Sequence, residues 1–274
     1  MRPLAEMPTE AAAAIRAVFA DIDDTITTDG RLPAAAYDAL ERLKTAGFAV
    51  VPVTGRPAGW CDMIARFWPV DGVVGENGAF YFAYDRAART MRAEHAQGAE
   101  ERAAAKAGLA RIEARCLAEV PGCAVAADQP YRLADLAIDF CEDVAPLGEA
   151  DIARIKAIFE EEGATAKVSS IHVNGWYGDY DKLTMSRRLA ADRLGLDLDA
   201  DRAAVVYCGD SPNDAPMFAH FPNACGVANV ADFAGRIDAE PAWIAPSRGA
   251  AGFVEIAERL LAARGAVNEL RNAG

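Results

Sequence analysis

Short apolar bursts that break off at polar or glycine-rich turns constrain this chain more than any other feature. Ala17–Ala20 ends at Asp21, Ala49–Val53 at Thr54, Val73–Val74 at Gly75 and Ala203–Cys208 at Gly209, with Cys225–Val227 and Trp243–Ala245 later. Helical patterns lie between them. In Pro33–Ala46, Tyr37, Leu40 and Leu43 make one apolar stripe, and Gly47 stands where a helix ends. Short buried strands alternating with helices predict βαβ units and a parallel sheet. Ligands of such sheets collect at the carboxyl ends of the strands. This sequence puts its unusual polar residues there.

Spacing then predicts the domain organisation. From Asp21 to Thr54 is 33 residues and from Lys182 to Asp210 is 28, each one βαβ step of about 30 residues. From Thr54 to Lys182 is 128, too many for one step. The excess predicts an inserted unit of about 95 residues over 84–178. The expected fold is α/β: a Rossmann-like parallel-sheet core over 16–83 and 179–274, an inserted α/β cap domain over 84–178, and an N-terminal extension over 1–15. Inside the insertion we expect an alanine-rich helix over 93–119, a strand over Ala134–Cys141 and a helix over 149–162. Extended segments over Ala166–Ser169 and Ile171–Trp176 follow, and Gly175 and Gly178 suit the returning hinge.

Composition removes several classes of function. With 274 residues, 52% of them hydrophobic, the chain can bury a large core, which excludes disorder and small disulfide scaffolds. It carries 41 acidic against 28 basic residues, a net charge of −13, so it has no basic footprint for nucleic acid or anionic lipid. An anionic ligand must be held by a local site or by a metal against that field. The six cysteines show no C-x-x-C and the three histidines no zinc spacing, which predicts reduced thiols in a cytoplasmic protein. Ala11–Ile15 is too short for a signal segment, and Ala215–Ala231 contains Pro216 and Pro222, so no membrane partner is expected.

Four constellations carry chemistry. Asp21-Ile22-Asp23-Asp24-Thr25 puts three carboxylates in four residues at a strand end, with Asp21 and Asp23 on one side of an extended chain. Oxygen ligands of high charge suit Mg²⁺, and a solvated acidic turn explains them equally well. Thr54-Gly55-Arg56 makes either a phosphate cradle or a strand-to-helix turn with Thr as cap. In Gly209-Asp210-Ser211-Pro212-Asn213-Asp214, ordinary helix-start signals explain Ser211, Pro212 and Asp214 but leave Asp210 unexplained. Asp181-Lys182 opens a helix, where a lysine is usually a surface residue.

In this order and spacing the four resemble the haloacid dehalogenase superfamily of phosphohydrolases, with D-x-D-x-T and G-D-x-x-N-D the specific pieces. The match covers roughly 16–82 and 180–262. The site of the insertion, with Val74-Gly75-Glu76-Asn77-Gly78-Ala79, is similar to the subgroup with a large α/β cap, which includes sucrose-phosphate, trehalose-phosphate and mannosyl-3-phosphoglycerate phosphatases and phosphomannomutases. The resemblance implies Asp21 as nucleophile forming an aspartyl-phosphate and Asp23 as general acid and then base. It implies phosphate contacts from Thr54, Gly55, Lys182 and Asn213. It further implies Mg²⁺ held by Asp21, the Asp23 carbonyl and Asp210, with Asp214 in or beside the metal shell. Splitting hydrolysis into two displacements lets a carboxylate act as nucleophile, and charge screening lets it meet a phosphate.

The expected activity is Mg²⁺-dependent hydrolysis of a small phosphate monoester, a sugar phosphate being favoured. A phosphomutase using the same aspartate is the nearest alternative. A non-catalytic receiver or sugar-phosphate-binding protein is more remote, because receivers lack an acid–base residue at the Asp23 position. For specificity, alternation over Ser169–Trp176 puts Ser170, His172, Asn174 and Trp176 on one face. That face reads either as hydroxyl contacts from His172 and Asn174 or as the solvent side of a cap sheet. Arg56, Glu76 and Asn77 are the expected partners from the core.

Overall fold

Strands with apolar residues at every position need cover on both faces, and the structure supplies it. The computed structural model describes residues 1–272. The chain opens with β1 (Arg2–Pro3), α1 (Thr9–Ala14), β2 (Ala17–Ala20), α2 (Ala34–Thr45), β3 (Ala49–Pro52), α3 (Ala58–Phe67) and β4 (Val73–Gly75). A hairpin of β5 (Phe80–Asp85) and β6 (Thr90–His95) follows. Next come α4 (Ala99–Glu119), β7 (Ala124–Val125), β8 (Leu136–Asp139), α5 (Glu149–Glu161), β9 (Thr165–Val168) and β10 (His172–Trp176). The chain closes with α6 (Lys182–Leu189), β11 (Val205–Gly209), α7 (Ala215–His220), β12 (Cys225–Gly226), β13 (Trp243–Ile244) and α8 (Gly249–Asn272).

The central sheet has the order β1-β13-β12-β11-β2-β3, parallel throughout. Val18 and Ala20 of β2 point into one apolar cluster with α2 and α8. Ala17 and Phe19 point into another with α6 and α7. Register does the rest. Ala20 pairs with Pro52 on one side and Cys208 on the other. The residues that follow, Asp21, Thr54 and Asp210, therefore emerge together at one edge of the sheet. Residues 1–15 supply the edge strand β1 and bury Leu4, Met7 and Ile15 in the first cluster.

A bridge between Val53 and Val74 leads from this sheet to β4, which pairs with β5 and β6 in an antiparallel sheet. Tyr84 thus lies inside β5. A second antiparallel sheet has the order β7-β8-β10-β9. Leu136, Ile138 and Val173 of that sheet pack with Ile112 and Cys116 of α4 and with Ile155, Ile158 and Phe159 of α5.

Two local expectations are corrected. The helix expected from residue 93 begins at Ala99, because Thr90–His95 pairs with β5 along its whole length, and ladder pairing overrides the helix propensity of its neighbours. Gly175 is no hinge: it sits within β10, where an added Cβ would lie 2.1 Å from Phe159. Gly178 takes the left-handed φ of 115° at the return to the core, which glycine adopts without strain.

Candidate active site

The turn after β2 brings the first carboxylates into place. Asp21 is extended and Asp24 left-handed (φ 53°), so the chain folds back within Ile22–Ile26. Asp21 Oδ1 accepts from the amide of Ile22 at 2.8 Å, and its Oδ2 lies 3.0 Å from Lys182 Nζ. Lys182 is the first residue of α6, and Asp181 before it caps the helix by accepting from the Thr184 amide at 2.7 Å. The lysine also donates to Asp214 Oδ1 at 2.8 Å. Asp214 is further held by the Tyr207 hydroxyl and by the amides of Asp210 and Ser211. Asp210 accepts from the Thr25 hydroxyl at 3.2 Å.

Asp21, Thr25, Lys182, Tyr207, Asp210 and Asp214 are buried, and burial decides their electrostatics. Desolvation pushes Asp21 up to about 7, with Lys182 opposing and Asp214 and Asp23 adding to the rise. Burial, then the charges of Asp214 and Asp21, push Asp210 well above the carboxylate range. Burial alone would lower Lys182, but Asp21 and Asp214 outweigh it and hold the ammonium above its ordinary value. Oxygens of Asp21, Asp210 and Asp214 all lie within 4.8 Å of one another. Three buried carboxylates against one lysine leave an excess of negative charge that a hard divalent cation would neutralise. The donor set fits Mg²⁺.

Beside this cluster, the turn after β3 is held by Thr54, whose hydroxyl accepts from the Arg56 amide at 3.0 Å. Gly55 lies close under Asn77: a Cβ would stand 3.0 Å from Asn77 Nδ2, so that side chain would have to give way. Asn213 donates to Asn77 at 3.5 Å and accepts from the Ser211 hydroxyl at 2.9 Å. Asp23 is gripped by Arg56, whose Nε reaches both carboxylate oxygens at 3.0 Å and whose Nη2 reaches one at 2.9 Å. A narrow cavity of about 10 Å³ is lined by Asp21, Asp23, Gly55, Arg56, Asn213 and, from the inserted sheet, Ser169–His172 and Asn174. Thr54 and Lys182 are buried outside its lining.

The face of β10 that carries His172 and Asn174 therefore looks onto the carboxylates, and both side chains are buried rather than solvated. Trp176, on the same face by alternation, lies away from the cavity and stacks on Tyr180. Glu76 corrects an expectation. Its carboxylate accepts from the amides of Ala58, Leu133, Ala134 and Asp135, which occupies its lone pairs and leaves none for a ligand. Burial, reinforced by Asp135, pushes Glu76 up to about 7.

Four charged residues of the insertion escaped the sequence reading. Arg132 is buried, pairs with Asp128 and Asp135, and donates to the Gly55 carbonyl at 2.8 Å. Asp135 also accepts from Asn174 at 3.0 Å. Glu142 accepts from Arg56 Nη2 at 2.6 Å and Nη1 at 3.2 Å, and lies 2.9 Å from His172 Nε2. Partial burial raises Glu142, yet His172 and Arg56 outweigh it and bring the carboxylate down to about 2. The sequence carried little signal for them, because Asp128, Arg132 and Asp135 lie outside any α-helix, where a spacing of three or four residues does not by itself bring side chains together.

Residues 18–106 match the model of a family described as haloacid dehalogenase-like hydrolase. No curated protein matches the sequence. Solved structures with the same fold include a protein of Thermoplasma acidophilum, 18% identical with a TM-score of 0.67, the match covering 90% of this chain and 98% of that one. The sucrose-phosphatase of Synechocystis, solved with sucrose and phosphate, is 16% identical with a TM-score of 0.59 over 89% of this chain and 97% of its own. A phosphatase of Bacteroides thetaiotaomicron is 17% identical with a TM-score of 0.59 over 91% and 96%.

Proposed function

We propose that this chain is a haloacid dehalogenase-like hydrolase, a Mg²⁺-dependent phosphatase that hydrolyses a small sugar or polyol phosphate through an aspartyl-phosphate on Asp21. One observation carries the reading: the Asp21 carboxylate, fixed by the Ile22 amide and Lys182, shares a single cavity with Asp23. Sugar phosphatases among the structures of like fold support the substrate class.

Asp21, Asp210 and the carbonyl of Asp23 would hold Mg²⁺, which when bound screens the charge between carboxylate and ester. In our reading Asp21 attacks phosphorus and the leaving oxygen departs with a proton from Asp23. Asp23 then takes a proton from the water that hydrolyses the intermediate, the usual division between nucleophile and acid–base group. Lys182 balances the charge on Asp21 and on the transferring group. Asp214, with its oxygens occupied by Lys182, Tyr207 and two amides, acts as the residue that places Lys182. Gly55 and Asn213, which line the cavity, and Thr54, buried just behind it, are our candidates for phosphate contacts, and in this reading the unit spanning α4 to β10 acts as the cap that shuts the cavity.

The test is phosphate release from a panel of phosphorylated sugars and polyols with and without Mg²⁺. Metal-dependent release of free phosphate is expected. Isomerised sugar phosphate without free phosphate would instead assign a phosphomutase.

A further inference from the structure

The cavity above Asp21 holds about 10 Å³, roughly the space of one water, so any ester must displace a part of its wall. Glu142 is the part best placed to go. Its side chain is 27% exposed, against 4% for Arg56, 8% for Asp128 and 2% for His172. It sits in the loop between β8 and α5, where the buried Asp139 carboxylate accepts from the amides of Cys141, Glu142 and Asp143 and so fixes the turn. From that turn Glu142 presents one carboxylate to the two Nη atoms of Arg56 and to His172 Nε2, at 2.6, 3.2 and 2.9 Å. Arg56 keeps Asp23, and Asp128 at 3.4 Å, through its other contacts.

Withdrawing Glu142 takes one acceptor from each Nη of Arg56, which keep only Asp23 and Asp128, and removes the carboxylate beside His172 Nε2, a buried nitrogen that has no hydrogen-bond partner of its own. Leaving such donors unpaired is costly. A planar fork with a third nitrogen matches a carboxylate in shape and charge. A hydroxyl returns one acceptor and no charge, and a bulkier dianionic phosphate would crowd Asp23 and Asp128.

Resting on the phosphatase reading, we propose that Arg56 and His172 form a carboxylate subsite which Glu142 fills when the cap is shut. The substrate is then a phosphate monoester whose leaving alcohol bears a carboxylate, a phosphorylated sugar acid or hydroxy acid. Its carboxylate takes the place of Glu142, and the charge balance of the wall is unchanged.

Matched pairs test this. Kinetics with Mg²⁺ are measured on 6-phosphogluconate against glucitol 6-phosphate and on 3-phosphoglycerate against glycerol 3-phosphate, with p-nitrophenyl phosphate and hexitol 1,6-bisphosphate alongside. The carboxylated member of at least one pair is expected to show a kcat/KM higher by about tenfold or more. Glu142→Ala, which removes the internal competitor, should raise that preference through a lower KM for the carboxylated ester. His172→Gln should shrink it. Hydrolysis of p-nitrophenyl phosphate and the uncharged esters with no preference for a carboxylate overturns this inference alone. So does an equal preference for the bisphosphate, or a Glu142→Ala variant that changes both members of each pair in parallel, which would make Glu142 a latch. Absence of phosphate release from every ester, p-nitrophenyl phosphate included, overturns the phosphatase reading and this inference with it.

Discussion

At the scale of single residues, the two aspartates of the first turn differ in their partners. Asp21 is buried beside Lys182, whereas Asp23 is held on the cavity wall by Arg56. Losing a general acid–base group costs about 10²–10⁴-fold in rate. Asp23→Asn is expected to lower kcat by that amount while circular dichroism and Tm stay near those of the parent. An unchanged kcat would remove Asp23 from the proton transfers. Glu76 is a different case, since its carboxylate serves five contacts to backbone amides of α3 and of the segment before β8. Glu76→Ala strands those buried donors, each costing about 1–3 kcal/mol when unpaired. Urea unfolding should show a loss of at least about 3 kcal/mol. A loss below 0.5 kcal/mol, about the range of an ordinary surface substitution, would contradict the role assigned to it.

At the scale of elements, the strands β2, β3 and β11 were legible because continuous apolar runs that stop at polar turns leave little choice of state or face. The site at their ends was legible for the same reason: parallel register carries Asp21, Thr54 and Asp210 to one edge. The hairpin of β5 and β6 was not. Its connection has no glycine. Asp85 closes it by accepting from the amides of Ala87 and Ala88, and Arg89 supplies the left-handed residue (φ 56°). Glu142 was hidden too, because its place depends on a turn fixed by Asp139, which belongs to none of the four constellations. Gly175 was misjudged because nothing local shows that Phe159 of α5 packs against its Cα. Gly175→Ala overpacks that contact and should cost about 1–3 kcal/mol in urea or thermal unfolding. A neutral or stabilising effect would show that β10 and α5 can part there.

At the scale of the whole molecule, an acidic protein keeps buried carboxylates at the carboxyl edge of its central sheet, and this links metal, pH and stability. Asp21 rises from 3.8 to about 7 and Glu76 from 4.5 to about 7, both chiefly through burial. A group whose folded value exceeds its unfolded one stabilises fully below the unfolded value and loses that contribution as pH climbs through the folded one. The metal-free protein should therefore lose Tm steadily from about pH 4 to pH 7 on account of these groups. Mg²⁺ binds ionised carboxylates, so it should raise Tm more at pH 8 than at pH 6. A metal effect that is flat across this range would argue that the Asp21 cluster is not its site.

The most direct test of the central claim is the rate of phosphate release from p-nitrophenyl phosphate with Mg²⁺, measured side by side for the parent and for Asp21→Asn. Nucleophilic attack by Asp21 predicts metal-dependent turnover in the parent and release at background in the variant, with Tm retained or raised because a buried charge has been removed. Turnover by a folded Asp21→Asn protein at the parent's rate would contradict it.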